Sequence, residues 1–137
     1  MKLMALSNEF EFTILSIAVS ALLSGLLGVL ISNWYYRRNE IKQVKLKVLQ
    51  QLMGYRYNVN GKEFLGALNQ VAVIFSDSKA VLTALSAVAD EVRTPNRNPE
   101  ISHQRLLELF KAIFKNLGIN TEPLTDNFFL TAFIPHD

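Results

Sequence analysis

Polar and aromatic side chains suited to binding a phosphate-bearing ligand lie together in one short stretch of the sequence. They are two tyrosines, an arginine, two asparagines and a lysine: Tyr55, Arg56, Tyr57, Asn58, Asn60 and Lys62. Arginine and lysine donate hydrogen bonds to phosphate, the amides at a helix start add donors, and tyrosine rings stack on nucleobases. The stretch predicts a nucleotide site rather than a surface for duplex nucleic acid. Alternatively, the tyrosines are core or interface residues and Arg56 pairs with an acid.

The residue types that usually carry catalysis or hold metals are scattered along the chain. His103 and His136 have no neighbours at metal-ligand spacing, and the sequence has no cysteine. Asp90 and Glu91 are adjacent on a helix, so their carboxylates point about 100° apart. No Gly-x-Ser-x-Gly motif is present. We therefore expect no catalytic residue, no metal site and no cofactor, and we predict that the protein is not an enzyme.

A long apolar segment precedes the polar stretch and sets its position in the cell. Residues 12–36 carry no charge over 25 positions, and a helix of that length measures about 37 Å, enough to cross a hydrocarbon core of about 30 Å. Twelve residues between Phe12 and Ile31 are Leu, Ile, Val or Phe, which together favour insertion by roughly 4 to 7 kcal/mol. The segment predicts a transmembrane helix, with the lipid bilayer as a partner. The alternatives are a cleaved signal peptide and a buried soluble helix.

The flanks of this segment predict its orientation. Trp34, Tyr35 and Tyr36 suit the headgroup layer, and Arg37 and Arg38 follow at once. Residues 1–36 hold one base and two acids, residues 37–62 hold seven bases and one acid, and residues 63–137 hold six bases and nine acids. Because the basic excess follows the span, we expect the amino terminus outside and the carboxyl-terminal domain in the cytoplasm, in a bacterial inner membrane crossed once.

Small residues recur within the apolar segment at four-residue intervals. The residues at this spacing, together with Gly25 next to Ser24, are Ser16, Ser20, Ser24, Gly25, Gly28 and Ser32. Small side chains allow transmembrane helices to approach closely. We call this set the small-residue seam and predict that it joins copies of the chain in a homo-oligomer, a tetramer being one such assembly. The alternative is a monomeric anchor that happens to contain serines.

Periodicity after the apolar segment predicts an all-α fold. The predicted parts are an extracytoplasmic stretch 1–11, a transmembrane helix 12–36, a stem helix 37–54 and a cytoplasmic helical domain 55–137. On the stem, apolar residues recur every three or four positions (Ile41, Val44, Val48, Leu49, Leu52 and Met53). Lys42, Lys45 and Lys47 lie between them and are expected to face water or anionic lipid.

Capping and turn residues divide the domain into helices. We predict a helix over 62–75 capped by Asn60 with Glu63, although a hairpin around Asn60-Gly61 is an alternative. Asn69 is expected on its inner face. Further helices are predicted after a cap at Ser76–Ser78 and from a Ser102 cap to Gly118, separated by a loop over 94–99. The tail 128–134 is apolar and aromatic, which favours a strand or an extended segment packed on the helices.

Several short motifs resemble a family of small bacterial proteins in which a helical domain of unknown function follows a single membrane helix. They are Leu52-Met53-Gly54-Tyr55-Arg56, Ala67-Leu68-Asn69, Phe75, Val81 and Phe133-Ile134-Pro135-His136, and the resemblance covers roughly residues 45–136. The helix start that is Ser-Pro-Glu in that family is Asn60-Gly61-Lys62-Glu63 here, so only the carboxylate matches. The layout also looks like the membrane effectors of type III CRISPR antiviral signalling, in which a cyclic oligoadenylate binds the soluble domain of a membrane oligomer.

Two functional hypotheses follow. The first is an oligomeric membrane effector in antiviral defence, gated by a cyclic oligoadenylate or a similar nucleotide and acting by membrane perturbation or pore opening. The second is a membrane-tethered adaptor that recruits a protein through its helical domain, with the tail over 128–134 as the contact.

Overall fold

A computed structural model describes residues 2–132, except for the side chains of residues 2, 3 and 5–7. These residues form five helices and no strand: α1 (Lys2–Tyr55), α2 (Lys62–Ile74), α3 (Lys79–Arg93), α4 (Pro99–Asn116) and α5 (Asp126–Leu130). The all-α prediction is therefore confirmed for the described residues. The chain divides into two compact units, Met1–Ile41 and Lys42–Asp137, and each is described by itself.

The amino-terminal unit is the first part of α1. The apolar segment 12–36 is helical throughout, as its composition predicts. By length and composition, α1 is the one helix within residues 2–132 that could cross a membrane. Each large apolar side chain that is described in this unit is exposed, so protein covers none of these side chains.

The carboxyl-terminal unit has one apolar core, to which the end of α1 and all four other helices contribute. Its buried apolar residues are Val48, Leu49, Leu52, Phe64, Ala67, Val71, Phe75, Val81, Val88, Leu106, Leu109, Phe110, Ile113, Phe114, Leu117 and Phe129. Along α1 to α4, spacings of three, four or seven residues place these side chains on one face of each helix. Core burial thus joins the last turns of α1 to the helical domain.

The predicted apolar face of the stem is confirmed in part. Val48, Leu49 and Leu52 are buried as predicted, but Ile41 and Val44 are exposed. The prediction is wrong at these two positions because the buried face of the helix runs through residues 45, 48, 49 and 52. The first of these is a lysine, whose contacts are described below.

Helix α2 starts at its predicted position, Lys62, but its cap and its inner face differ from the prediction. Its N-cap is Gly61, and no side chain caps it, so the prediction of an Asn60 cap is wrong. Asn69 is exposed rather than on the inner face. The reason is register: the buried positions are Phe64, Ala67 and Val71, which leaves residue 69 on the opposite side.

The predicted break at 76–78 is confirmed, whereas the predicted start of α4 is wrong. Ser78 caps α3, its hydroxyl accepting a hydrogen bond from the Val81 amide. Helix α4 begins at Pro99 because Asn98 accepts from the Glu100 amide at 3.0 Å and proline has the backbone angle of a first helical residue. Ser102 lies inside the helix, and its hydroxyl donates to the Asn98 carbonyl oxygen at 3.1 Å.

The predicted stop at Gly118 is confirmed. Gly118 has φ +70°, a left-handed conformation that favours glycine. The Gly118 amide donates to the Lys115 carbonyl at 3.1 Å, and the Ile119 amide donates to the Phe114 carbonyl at 3.0 Å. These two bonds form a Schellman motif, which satisfies carbonyls at the end of the helix.

The predicted strand or extended segment over 128–134 is wrong in its first part. Phe128 to Leu130 belong to α5, and Phe129 is fully buried. Its ring meets the Phe114 ring edge-on at 5.2 Å between centres. This tertiary contact orders a helical turn where local composition favours extension. Residues 133 and 134 lie outside the described residues.

Candidate functional site

The segment between α1 and α2 carries the residues predicted to bind a ligand. It turns back on itself through two hydrogen bonds, from the Asn58 amide to the Tyr55 carbonyl at 3.0 Å and from the Gly61 amide to the Asn58 carbonyl at 2.9 Å. A Cβ atom at Gly61 would lie 2.8 Å from Asn58 Nδ2 and 3.0 Å from the Asn58 carbonyl oxygen. A side chain at position 61 would therefore crowd the turn, and residue 58 would have to shift to accommodate it.

Arg56 lies at the centre of this segment and binds backbone carbonyls. Its Nε and Nη2 atoms donate to the Thr131 carbonyl at 3.1 and 2.8 Å, and Nη1 donates to the Met53 carbonyl. The guanidinium also lies 6.0 Å from the centre of the Phe128 ring. Arg56 thus connects the end of α1 to the residue that follows α5, and a phosphate group would have to compete with these hydrogen bonds.

The other predicted ligand residues are exposed around Arg56. The Tyr55 and Tyr57 rings lie 6.5 Å apart at an angle of 49°. Asn58, Asn60 and Lys62 are exposed as well. Lys62 is the first residue of α2, whose amino-terminal amides donate no hydrogen bond to a capping side chain. Chemically, this surface offers two aromatic faces, a cation and free helix amides, the groups that would contact a nucleotide.

A buried lysine that the sequence did not single out holds α1 against two other parts of the carboxyl-terminal unit. Lys45 is only 6% exposed. Its Nζ donates to both carboxylate oxygens of Asp77 at 2.7 Å and to Asn116 Oδ1 at 3.1 Å, and it lies 5.2 Å from the centre of the Phe75 ring. We call these four residues the Lys45 cluster.

The prediction that Lys45 faces water or lipid is therefore wrong, while Lys42 and Lys47 are exposed as expected. One signal was present in the sequence: Lys45 lies three and four positions before Val48 and Leu49, on the same helix face. Asp77 and Asn116 are 32 and 71 residues away along the chain. Such distant partners give no local pattern.

The small-residue seam lies on the exposed surface of α1. All six of its residues are exposed, and a Cβ atom at Gly25 or Gly28 would meet nothing within 4 Å. The Ser16 hydroxyl donates to the Thr13 carbonyl, and the Ser20 hydroxyl donates to the Ser16 carbonyl, both at 2.8 Å. These two donors are satisfied within the helix, so they are compatible with lipid or with a neighbouring helix. The oligomeric role of the seam stays a prediction.

Few polar groups elsewhere are arranged for chemistry. Within the part of the chain that the structure describes, no group of three or more His, Cys, Asp or Glu residues could hold a metal ion. His103 and Asp90 are exposed, and Glu91 accepts a hydrogen bond from the Ser102 hydroxyl at 3.1 Å. His136 lies outside the described residues.

Over residues 2–132, the fold and these surfaces define a class: an all-helical protein with one helix long and apolar enough to cross a membrane. The chain belongs to a family of unknown function, DUF6680, whose sequence profile matches residues 6–125. No curated protein and no solved structure matches the chain. The match includes both the apolar segment and the helices up to α4. It ends before α5 and before the Phe133–His136 motif, and it carries no link to antiviral effectors.

Proposed function

We propose that this protein crosses a bacterial inner membrane once, through residues 12–36 of α1, and holds its helical domain in the cytoplasm. The observation that carries the proposal is the surface of α1. Its apolar side chains are exposed without interruption, from Phe12 at 74% to Ile31 at 66%, and the lowest value among them is 46%, at Val19. Soluble proteins rarely expose so large an apolar surface, and lipid is the environment that would cover it.

The charges flanking the span support the proposed orientation. Arg37 and Arg38 follow the aromatic residues 34–36 directly, while Glu9 and Glu11 precede the apolar segment. Lysine and arginine are retained on the cytoplasmic side of bacterial membranes, whereas acids have little influence. The family match supports a role that needs both the span and the domain, because a single family profile runs through both.

Self-association through the small-residue seam is the second part of the proposal. Helices in lipid gain packing energy where small side chains let backbones approach, and Gly25 and Gly28 have open space beside them. We expect the triple variant Ser20→Leu, Ser24→Leu, Gly28→Leu to lower the mass of the detergent-solubilised particle. A matched control, Val19→Leu, Leu26→Ile, Leu30→Ile, changes the opposite side of the helix and should leave the mass unchanged. Equal masses for the two variants would argue against the seam.

For activity, we propose an effector of antiviral defence that responds to a cyclic oligoadenylate or a similar nucleotide and then perturbs the membrane. The exposed Tyr55 and Tyr57 rings, Lys62 and the uncapped start of α2 are the groups that would bind it. Arg56 would hold this surface in place through its bonds to Met53 and Thr131 rather than by contacting phosphate first. A symmetric oligomer suits a cyclic ligand, because each subunit offers the same side chains to each repeat.

The test combines binding with leakage. Purified full-length protein is reconstituted in dye-loaded liposomes and titrated with cyclic oligoadenylates of different ring size. We expect saturable binding and dye release, both weakened by Tyr57→Ala with Lys62→Gln. Lys79→Gln is the matched control, because this lysine is also exposed and opens a helix, but that helix is capped by Ser78. Absence of both binding and leakage would exclude the nucleotide-gated activity and leave the membrane anchor in place.

A membrane-tethered adaptor is the second candidate, and one surface favours it. Residues 64–76 carry no charged side chain, yet Leu65 is 40% and Val73 75% exposed on α2. An exposed helix face without charge is typical of a protein-binding surface. A partner recovered in stoichiometric amount, lost with Val73→Asp and retained with Thr83→Asp on the exposed side of α3, would favour this function. A partner that binds both variants equally would not use this face.

A further inference from the structure

The aromatic and basic residues at the end of the proposed span present a surface of their own, and the inference drawn from it rests on the proposed membrane location. Trp34 is 61% exposed, and both Arg37 and Arg38 are exposed. The Arg38 guanidinium lies 5.0 Å from the centre of the Trp34 ring. This is a cation–π contact, which orients the guanidinium at the level of the indole.

Within the described part of the chain, neither arginine forms an ion pair with an acid. Among the side chains that the structure describes, the ion pairs join Lys45 to Asp77, Arg105 to Glu108 and Lys111 to Asp126. Glu40 lies nearby in sequence but makes no ion pair with Arg37 in this part of the chain. The two guanidinium groups therefore keep donors available for an external anion.

Two other basic residues that follow the apolar segment already bind groups within the protein, so they are not available to a membrane lipid. Lys45 is buried against Asp77, and the Arg56 guanidinium binds the Met53 and Thr131 carbonyls. The basic residues that follow the apolar segment are therefore not equally available to an external anion. Arg37 and Arg38 lie close to Trp34, directly after the end of the apolar segment.

We propose that Trp34, Arg37 and Arg38 form a binding site for anionic phospholipid headgroups in the membrane leaflet that contains them. The guanidinium groups donate paired hydrogen bonds to the headgroup phosphate, which suits arginine better than lysine. The net negative charge of the lipid complements two cations that form no ion pair with any described acid, whereas a zwitterionic lipid brings its own ammonium group. The protein thus selects the lipid around its cytoplasmic end.

The chain supplies its own reporter for this site, because Trp34 is its single tryptophan. Full-length protein is reconstituted in mixed vesicles of phosphatidylcholine and phosphatidylglycerol, with bromine on the acyl chains of one lipid or the other. The ratio of quenching by the two brominated lipids measures which lipid lies beside Trp34. One arginine at an anionic surface favours it about fivefold, so we expect at least that preference for phosphatidylglycerol, decreasing at high salt.

Variants assign the preference to residues. Arg37→Gln with Arg38→Gln should bring the ratio close to one, while the control Arg93→Gln with Arg97→Gln removes two exposed charges elsewhere and should retain it. Equal quenching by both lipids in the wild-type protein, or an unchanged ratio in the first variant, would overturn the lipid site and leave the span intact. Failure of either lipid to quench Trp34 would overturn the membrane location as well.

Discussion

The Lys45 cluster leads to a prediction in which two substitutions that remove the same ion pair have different effects. In Asp77→Asn the buried ammonium of Lys45 loses its charged partner and keeps only amide oxygens and the Phe75 ring. In Lys45→Met the buried charge itself disappears, and a side chain of similar length remains. We expect Asp77→Asn to destabilise the carboxyl-terminal unit much more than Lys45→Met.

The magnitudes follow from burial. Removing one partner of a buried ion pair destabilises a protein by about 3 to 5 kcal/mol. Because the Asp77 side chain is 65% exposed while that of Lys45 is 8% exposed, water reaches the pair, and we expect about 2 kcal/mol for Asp77→Asn. In Lys45→Met the exposed carboxylate is hydrated again, so the free energy of unfolding should change by less than about 1 kcal/mol.

Thermal unfolding of the full chain in detergent, followed by far-ultraviolet circular dichroism, measures the difference. For a domain of this size, 1 kcal/mol shifts Tm by about 4 to 8 °C, so Asp77→Asn should lower Tm by about 10 °C and Lys45→Met by less than about 5 °C. The double variant should resemble Lys45→Met, because the two positions act through one interaction. Asp126→Asn, which breaks the exposed pair with Lys111, is the control and should have little effect.

Two results would refute this reasoning. If Asp77→Asn lowered Tm no more than Asp126→Asn, the Lys45 ammonium would not depend on its carboxylate partner. If Lys45→Met lowered Tm more than Asp77→Asn, Lys45 would stabilise the unit through contacts other than its ion pair.

Three further predictions concern the ends of helices. Arg56→Gln should destabilise the carboxyl-terminal unit by about 1 to 2 kcal/mol, since charged donors to two carbonyls are lost, and hydrogen exchange of the Thr131 amide should accelerate more than that of core amides. Gly61→Ala should lower the free energy of unfolding by about 1 kcal/mol, because its Cβ would lie too close to residue 58. Gly66→Ala lies in open space within α2 and should raise the free energy of unfolding by about the same amount, because alanine favours the helix over glycine. Gly118→Ala should destabilise the unit by about 1 kcal/mol because its φ is +70°. For all three glycine positions, chemical denaturation provides the measurement, and no change in the free energy of unfolding would contradict the backbone argument.

The parts of the fold that depend on local chemistry could be predicted from the sequence. The uncharged segment 12–36 predicts a continuous apolar helix, Ser78 predicts a cap, and Gly118 predicts a stop, since each depends on a few consecutive residues. The start of α4 was also within reach. Proline at the first helical position, preceded by asparagine, is a stronger start signal than Ser102.

Features that depend on distant residues could not be predicted in the same way. The burial of Lys45 requires Asp77 and Asn116, and the helical turn α5 requires the Phe114 ring against Phe129. For the candidate site, the sequence pattern grouped the tyrosines and Lys62 at the start of a predicted helix. It contained no sign that Arg56 binds the carbonyl of Thr131, 75 residues later. Only the tertiary structure brings these groups together.

The central proposal is that residues 12–36 cross the membrane once with the domain in the cytoplasm, and one labelling experiment tests it most directly. The chain has no cysteine, so single substitutions Asn8→Cys, Ser24→Cys and Asn96→Cys can each be exposed to a membrane-impermeant maleimide in intact cells and after lysis. We predict that position 8 is labelled in intact cells, position 96 only after lysis, and position 24 in neither case. Labelling of position 24, or identical behaviour of positions 8 and 96, would contradict the proposed span.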